Sequence, residues 1–178
     1  MGSQSTTQAA GAPGATLDPR RWVAVVAVAL SIVLSALDAT IIALAAPAIA
    51  HQFALSASAA ALIFLSYSVP LTLLILPAAE LARRYRTLPL FLVAVVGFGL
   101  GSVLSGLAPV FPVLLVGRVV QGSFAAVIAT QGVAVAATVV APRERGRAMG
   151  LIGSLVPLGG VAGPGIGGVL LARFDWHA

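Results

Sequence analysis

From Trp22 to Ala172 the chain is apolar almost without a break, and its few interruptions are short. A helix that crosses a bilayer needs about 20 mostly apolar residues. Five runs reach that length, spanning 22–49, 58–82, 88–107, 111–139 and 148–172. None alternates polar and apolar residues with the two-residue period of a barrel strand, and a helix satisfies its backbone polar groups internally. The pattern predicts an all-α, polytopic transmembrane bundle of about five helices. Composition removes the soluble alternative. Only 8% of the residues are charged and 60% are hydrophobic, whereas a soluble domain carries about 25% charged residues to cover its surface.

The interruptions carry the charge. All ten basic residues are arginine and the net charge is +5. Arg20 and Arg21 precede the first run, Arg83, Arg84 and Arg86 lie between the second and third, and Arg143, Arg145 and Arg147 lie between the fourth and fifth. Alternating crossings place these three groups on one side, with Arg173 on the other. The bias of arginine toward cytoplasmic loops predicts a cytoplasmic N-terminus in a plasma or inner membrane. Residues 1–19 are small, polar and rich in glycine and proline, as expected of a disordered tail. A nucleic-acid face is not expected, because the arginines sit in linkers and lack interleaved aromatics. Cysteine is absent and His51 and His177 stand far apart, so neither a metal site nor a cofactor is expected. No nucleophile has a convincing base, so the chain is not read as an enzyme.

Polar residues inside the runs are the candidates for function. Asp38 lies near the middle of the first run, where a charge costs about 2.5–3.5 kcal/mol to insert. It calls for a cavity, an ion path or a partner. Arg118 lies in the first third of the fourth run, with Gln121 and Gly122 at i+3 and i+4 on the same helical face. An arginine there keeps its proton and needs an acceptor or water; Asp38 is one possible partner. Tyr67 and Gln131 are mid-membrane polar groups that fit either a cavity wall or ordinary burial.

The fifth run contains GGVAGPGIGG, residues 159–168. Gly159, Gly163 and Gly167 are spaced by four, and Gly160, Pro164 and Gly168 form a neighbouring row. Rows of small residues let helices approach closely in lipid, and Pro164 removes a backbone hydrogen bond. The combination predicts a bendable helix in a tight, moving interface. Gly97, Gly101 and Ser105 form a weaker small-residue row in the third run, read as packing.

In this order the motifs resemble the N-terminal half of a major facilitator superfamily transporter, of the drug/proton antiporter type. LDATIIALAAPAI is similar to the family's first-helix motif through Asp38, Thr40 and Pro47. GRVVQGSFAA is similar to the fourth-helix motif through Arg118, Gln121 and Gly122. PRERGRAMG is similar to the loop that follows. GGVAGPGIGG is similar to the antiporter motif of the fifth helix through Gly159, Gly163, Pro164, Gly167 and Gly168. The loop AELARRYRTL departs from the pattern G-x-L-A-D-R-x-G-R-R: Ala79 replaces the first glycine, Arg83 the acid, Arg86 the second glycine, and Thr87 and Leu88 the arginine pair. The resemblance implies that Asp38 handles substrate or protons, that Arg118 takes part in proton coupling, and that the fifth-helix motif shapes the surface on which two halves rock. Arg83, Arg84 and Arg86 occupy the loop that closes the cytoplasmic side in the family.

The expected function is therefore the N-terminal portion of a proton-coupled exporter of small amphipathic molecules. Its partners would be a small-molecule substrate, protons and the bilayer, with a missing C-terminal half or self-association completing the path. The end at RFDWHA reads as an interrupted bundle. The competing expectation is a truncated fragment or interaction subunit that transports nothing by itself.

Overall fold

Each apolar run forms one helix in the computed structural model, which describes residues 19–173. The helices are α1 Pro19–Gln52, α2 Ala57–Arg84, α3 Thr87–Gly106, α4 Phe111–Val139 and α5 Arg145–Arg173, with a 3-10 turn at Pro142–Glu144 before α5. All five include a stretch long and apolar enough to cross a membrane. α1, α2 and α5 outrun their apolar segments. Proline suits the first turn of a helix, so α1 can start at Pro19. Arginine is a good helix former, so α5 starts at Arg145 rather than at Ala148. The tail expected to be disordered lies outside the described residues, apart from Pro19.

The chain reverses by local capping. After Gln52 the backbone turns at Ala54, whose φ is 50°. Ala54 N–H bonds His51 O at 3.2 Å and Leu55 N–H bonds Ala50 O at 2.8 Å, the paired bonds of a Schellman C-cap with alanine in the left-handed position that glycine normally takes. Ser56 then caps α2 by accepting from Ala59 N at 3.2 Å. Arg83 and Arg84 close the last turn of α2, where cations meet the negative end of the helix dipole. Pro112 opens α4.

Packing divides the bundle into two layers. α4 lies against both α3 and α2 along most of its length, and α1 lies against α5; the layers meet mainly where α1 crosses α4. Small residues set the distances. A methyl group at Gly101 would stand 2.9 Å from the backbone nitrogen of Gln121, and one at Gly122 would run into the carbonyl of Tyr67. The row Gly97, Gly101, Ser105 thus faces α4, and α2 crosses α4 at Tyr67.

The two rows of α5 separate cleanly. Gly159, Gly163 and Gly167 face α1 at Val33, Thr40 and Ile41, whereas Gly160 and Gly168 have nothing within 4 Å. One apolar cluster holds the arginine-bearing end, around Val28, Phe91, Phe98, Ile128 and Ile152. A second holds the opposite end, around Ile49, Ile63 and Leu114. At the first end Arg147 lies over the Trp22 ring at 5.6 Å. Outward faces are aliphatic: Leu73, Leu76, Leu100 and Val161 are all more than 60% exposed, a surface that only lipid or further protein would cover favourably.

The α5 rows yield a paired test. Gly163→Ala places a methyl group on Thr40, 2.7 Å from its Cβ, and should cost about 1–3 kcal/mol through overpacking. Gly160→Ala meets nothing and should be neutral, or stabilising by up to about 1 kcal/mol through helix propensity. Thermal unfolding midpoints in detergent should therefore fall for the first variant and hold or rise for the second.

Candidate functional site

Most hydroxyls in the bundle are satisfied by their own helix. Ser31 bonds Ala27 O, Ser68 bonds Phe64 O, Thr72 bonds Ser68 O and Ser123 bonds Val119 O. Such back-bonding makes a hydroxyl self-sufficient in an apolar medium. One group of polar side chains behaves differently and reaches between helices.

Its centre is an ion pair. Arg118 is 2% exposed and its Nη1 donates to Asp38 Oδ2 at 2.6 Å. The same Nη1 donates to Gln121 Oε1 at 2.9 Å. Gln121 Nε2 donates to Asp38 Oδ1 at 2.9 Å and to Ser102 Oγ at 2.7 Å. Ser105 Oγ lies 3.4 Å from Gln121 Oε1 and 3.5 Å from Leu114 O. From α2, the Tyr67 ring sits 4.5 Å from the Arg118 guanidinium carbon, a cation–π contact. Four helices thus supply this cluster, which lies between the two apolar clusters.

Helix periodicity explains the arrangement. Arg118 and Gln121 are i and i+3 on α4, so both point the same way. Ser102 and Ser105 are i and i+3 on α3 and meet them. Asp38 projects from α1 at the seam between the layers. Its side chain keeps 22% exposure, because cavities lie on either side. One, of about 470 Å³, extends toward the α3–α4 turn past Ile42, Leu107 and Leu114. The other, of about 430 Å³, extends toward the arginine-bearing end past Ser31, Leu34 and Phe98. Asp38, Ile41 and Ser102 line both. Arg118 Nε is buried with no hydrogen-bond partner, so the guanidinium is held by one edge.

Asp38, Arg118, Gln121 and Tyr67 are therefore brought together. Gln131 is not part of this cluster. It is fully buried on the α2–α4 seam, donating to Ala78 O at 3.3 Å, and its Oε1 has no partner. Gly159, Gly163 and Gly167 form the α1–α5 contact, while exposed Pro164 and Gly168 point away from the bundle. Arg83, Arg84 and Arg86 are exposed at the end of the bundle. Arg83 and Arg84 pair with Glu80 at 3.7 and 3.2 Å, contacts worth at most about 1 kcal/mol each at a surface.

Sequence reasoning passed over Glu80, Ser102 and, as a polar group, Ser105. The i+3 and i+4 spacing of Glu80 to Arg83 and Arg84 was one available signal. The other was that Ser102 and Ser105 are the only polar side chains of α3 beyond Thr87. Among the described residues no three His, Cys, Asp or Glu side chains cluster as a metal site would require.

The family model described as the Major Facilitator Superfamily matches residues 28–178. The chain is 32% identical over 161 residues to the puromycin resistance protein of Streptomyces alboniger, covering 90% of this chain and 32% of that protein. It is 32% identical over 166 residues to the tetracenomycin C resistance and export protein of Streptomyces glaucescens, covering 93% of this chain and 31% of the relative. A multidrug resistance protein of Mycobacterium tuberculosis is 33% identical over 154 residues, covering 86% of this chain and 29% of the relative. The chain spans about a third of the length of these curated relatives.

Removing one member of the buried pair leaves the other uncompensated. Asp38→Asn or Arg118→Gln alone should lower stability by about 3–5 kcal/mol. The double variant should lose less than the sum, by more than about 1 kcal/mol. Denaturant unfolding in mixed micelles measures both; strict additivity would mean that the pair does not interact.

Proposed function

The chain belongs to the major facilitator superfamily, and from that premise we propose that it forms the N-terminal bundle of a proton-coupled exporter of small amphipathic molecules. The carrying observation is the buried Asp38–Arg118 pair, set between two cavities that both reach the carboxylate. The relatives named for puromycin resistance, tetracenomycin C export and multidrug resistance support the substrate class, as do the largely aliphatic cavity walls.

In this mechanism Asp38 is the proton carrier. While Arg118 donates to it, the carboxylate has its counter-charge in direct contact. A movement that withdraws Arg118 leaves a lone carboxylate in an apolar setting, which favours taking a proton from water in one cavity. Return of Arg118 expels that proton toward water in the other. Tyr67 holds the guanidinium when it is released and faces the path. Alternating access needs two bundles moving about one site. The proposal is thus for this bundle acting with a second one, supplied by a further part of the protein or by another chain. The outward row Gly160, Pro164, Gly168 is the surface proposed to meet it. The N-terminus is assigned to the cytoplasm, with Arg83, Arg84 and Arg86 on the inner face of a plasma or inner membrane.

Two measurements test this. In a transport-competent assembly containing the chain, Asp38→Asn should lower efflux driven by a pH gradient by at least roughly tenfold. Unchanged proton-driven efflux would remove the coupling role. Because the chain has no cysteine, single cysteines report sidedness directly. Val110, in the α3–α4 turn, and Gly146, at the start of α5, are both exposed. A membrane-impermeant thiol reagent should label Val110→Cys in intact cells and Gly146→Cys only after permeabilisation; the reverse pattern would invert the topology.

A further inference from the structure

The two arginine groups at the end of the bundle differ in how the chain accounts for them. Arg83 and Arg84 close α2, where the helix dipole favours cations, and both pair with Glu80. Arg143, Arg145 and Arg147 are exposed, and among the described residues none of them makes an ion pair with a carboxylate. Glu144 stands in the same linker and pairs with none of them. Arg145 and Arg147 occupy the first turn of α5, which holds no acidic residue, and the start of a helix disfavours cations. Helix stability therefore does not explain these charges.

The backbone runs helically through this linker. Pro142–Glu144 forms the 3-10 turn, Glu144 N–H donates to Ala141 O at 2.8 Å, and Arg145 continues the path with φ −57° and ψ −42°. Arg143 and Arg147 are thus about one turn apart and project to one side. Like charges at that spacing repel, so the pair suits an anion held between them. Arg147 also has an aromatic floor. Its guanidinium carbon lies 5.6 Å from the centre of the Trp22 ring, and that ring is half-buried against the apolar cluster around Val28 and Ile152. Trp22 is the first residue of the apolar span of α1, and Pro142 opens that of α5. The three side chains therefore stand where acyl chains give way to headgroups, the depth at which tryptophan is enriched.

We propose that Arg143, Arg147 and Trp22 form a binding site for the headgroup phosphate of an anionic phospholipid. A guanidinium presents forked N–H donors that match phosphate oxygens. Trp22 takes one face of Arg147 by a cation–π contact and leaves the donor edges free. Arg145 adds to the local positive charge, and each arginine beside an anionic membrane surface strengthens the attraction. A lipid fits better than a soluble anion because the site continues into bare helix surface. Positions Gly150 and Gly153 have nothing within 4 Å of where a side chain would begin, so α5 is open there to acyl chains. A phosphate held between Arg143 and Arg147, over Trp22, ties the start of α5 to the start of α1. The lipid thus braces the layer that these two helices form.

The test reads Trp22 itself. The chain has two tryptophans, so Trp176→Phe leaves Trp22 as the sole reporter. This chain is reconstituted in vesicles of equal parts phosphatidylcholine and phosphatidylglycerol, with bromine on the acyl chains of one lipid or the other. Bromine quenches tryptophan fluorescence on contact, and the two quenching curves give a relative association constant at Trp22. It should favour phosphatidylglycerol by about tenfold or more. In Arg143→Gln/Arg147→Gln the preference should fall to within about twofold of none. Arg83→Gln/Arg84→Gln, which alters the other arginine group, should keep it. Both leaflets carry the brominated lipid, so a change in orientation does not affect the reading, and circular dichroism should show unchanged helix in every variant. No preference in the parent chain, or equal loss in both variants, would overturn the site. A preference abolished by inorganic phosphate but not by chloride of equal ionic strength would also overturn it and assign the arginines to a free anion. None of these outcomes depends on whether Asp38 carries a proton.

Discussion

A guanidinium buried in an apolar bundle dictates much of what surrounds it. Arg118 cannot shed its charge, so its site must supply a counter-charge and acceptors. Asp38 gives the counter-charge, Gln121 gives an acceptor and Tyr67 gives an aromatic face. Such a pair is a poor way to gain stability, since desolvating two ions can outweigh their attraction. An aliphatic pair would hold α1 to α4 at no such cost. Under the proposed function the charges serve a contact whose strength would change when one proton arrives.

The packing around the pair gives that change somewhere to act. α4 is fixed to α3 and α2 by backbone-close contacts at Gly101 and Gly122, and α5 is fixed to α1 along Gly159, Gly163 and Gly167. Between the two layers the contact is smaller, and Asp38, Arg118 and Gln121 supply its polar part. Tight seams inside each layer favour movement of the layers as units, because packed interfaces shift between discrete arrangements rather than deform continuously. The polar cluster sits at the joint.

What could be read from the sequence follows the range of each interaction. Five helices were legible because hydropathy is a property of consecutive residues and the bilayer sets the required length. Asp38 and Arg118 each stood out as charges in apolar runs, but their pairing joins residues 80 apart, and no local pattern fixes such a contact. The two glycine rows of α5 look alike as strings, and only the position of α1 decides that Gly163 is packed while Gly160 is free. The α3 serines were obscured for a different reason. Hydroxyls in apolar helices commonly bond back to their own carbonyls, as Ser31 and Ser68 do, so a serine carries little information until its neighbours are known. Glu80 lies three residues before the acid position of the loop motif, where Arg83 stands, so the motif gives it no role.

The same cluster explains why the cavities meet at Asp38 and Ser102. Asp38 leaves α1 where the layers meet, and the gap between α1 and α3 is floored by α4, so space opens both above and below the carboxylate. Ser102 borders the same two spaces and is bonded to the same amide. Under the proposed function, a carboxylate bordered by two cavities and paired with one arginine is where a carrier would exchange its proton, and alternating access would then require one of the two spaces to close at a time. In that proposal exposure to one cavity would admit the proton and renewed pairing with Arg118 would release it. The geometry joins the two because Arg118, Gln121 and Asp38 share their hydrogen bonds, so none can change partners without the others.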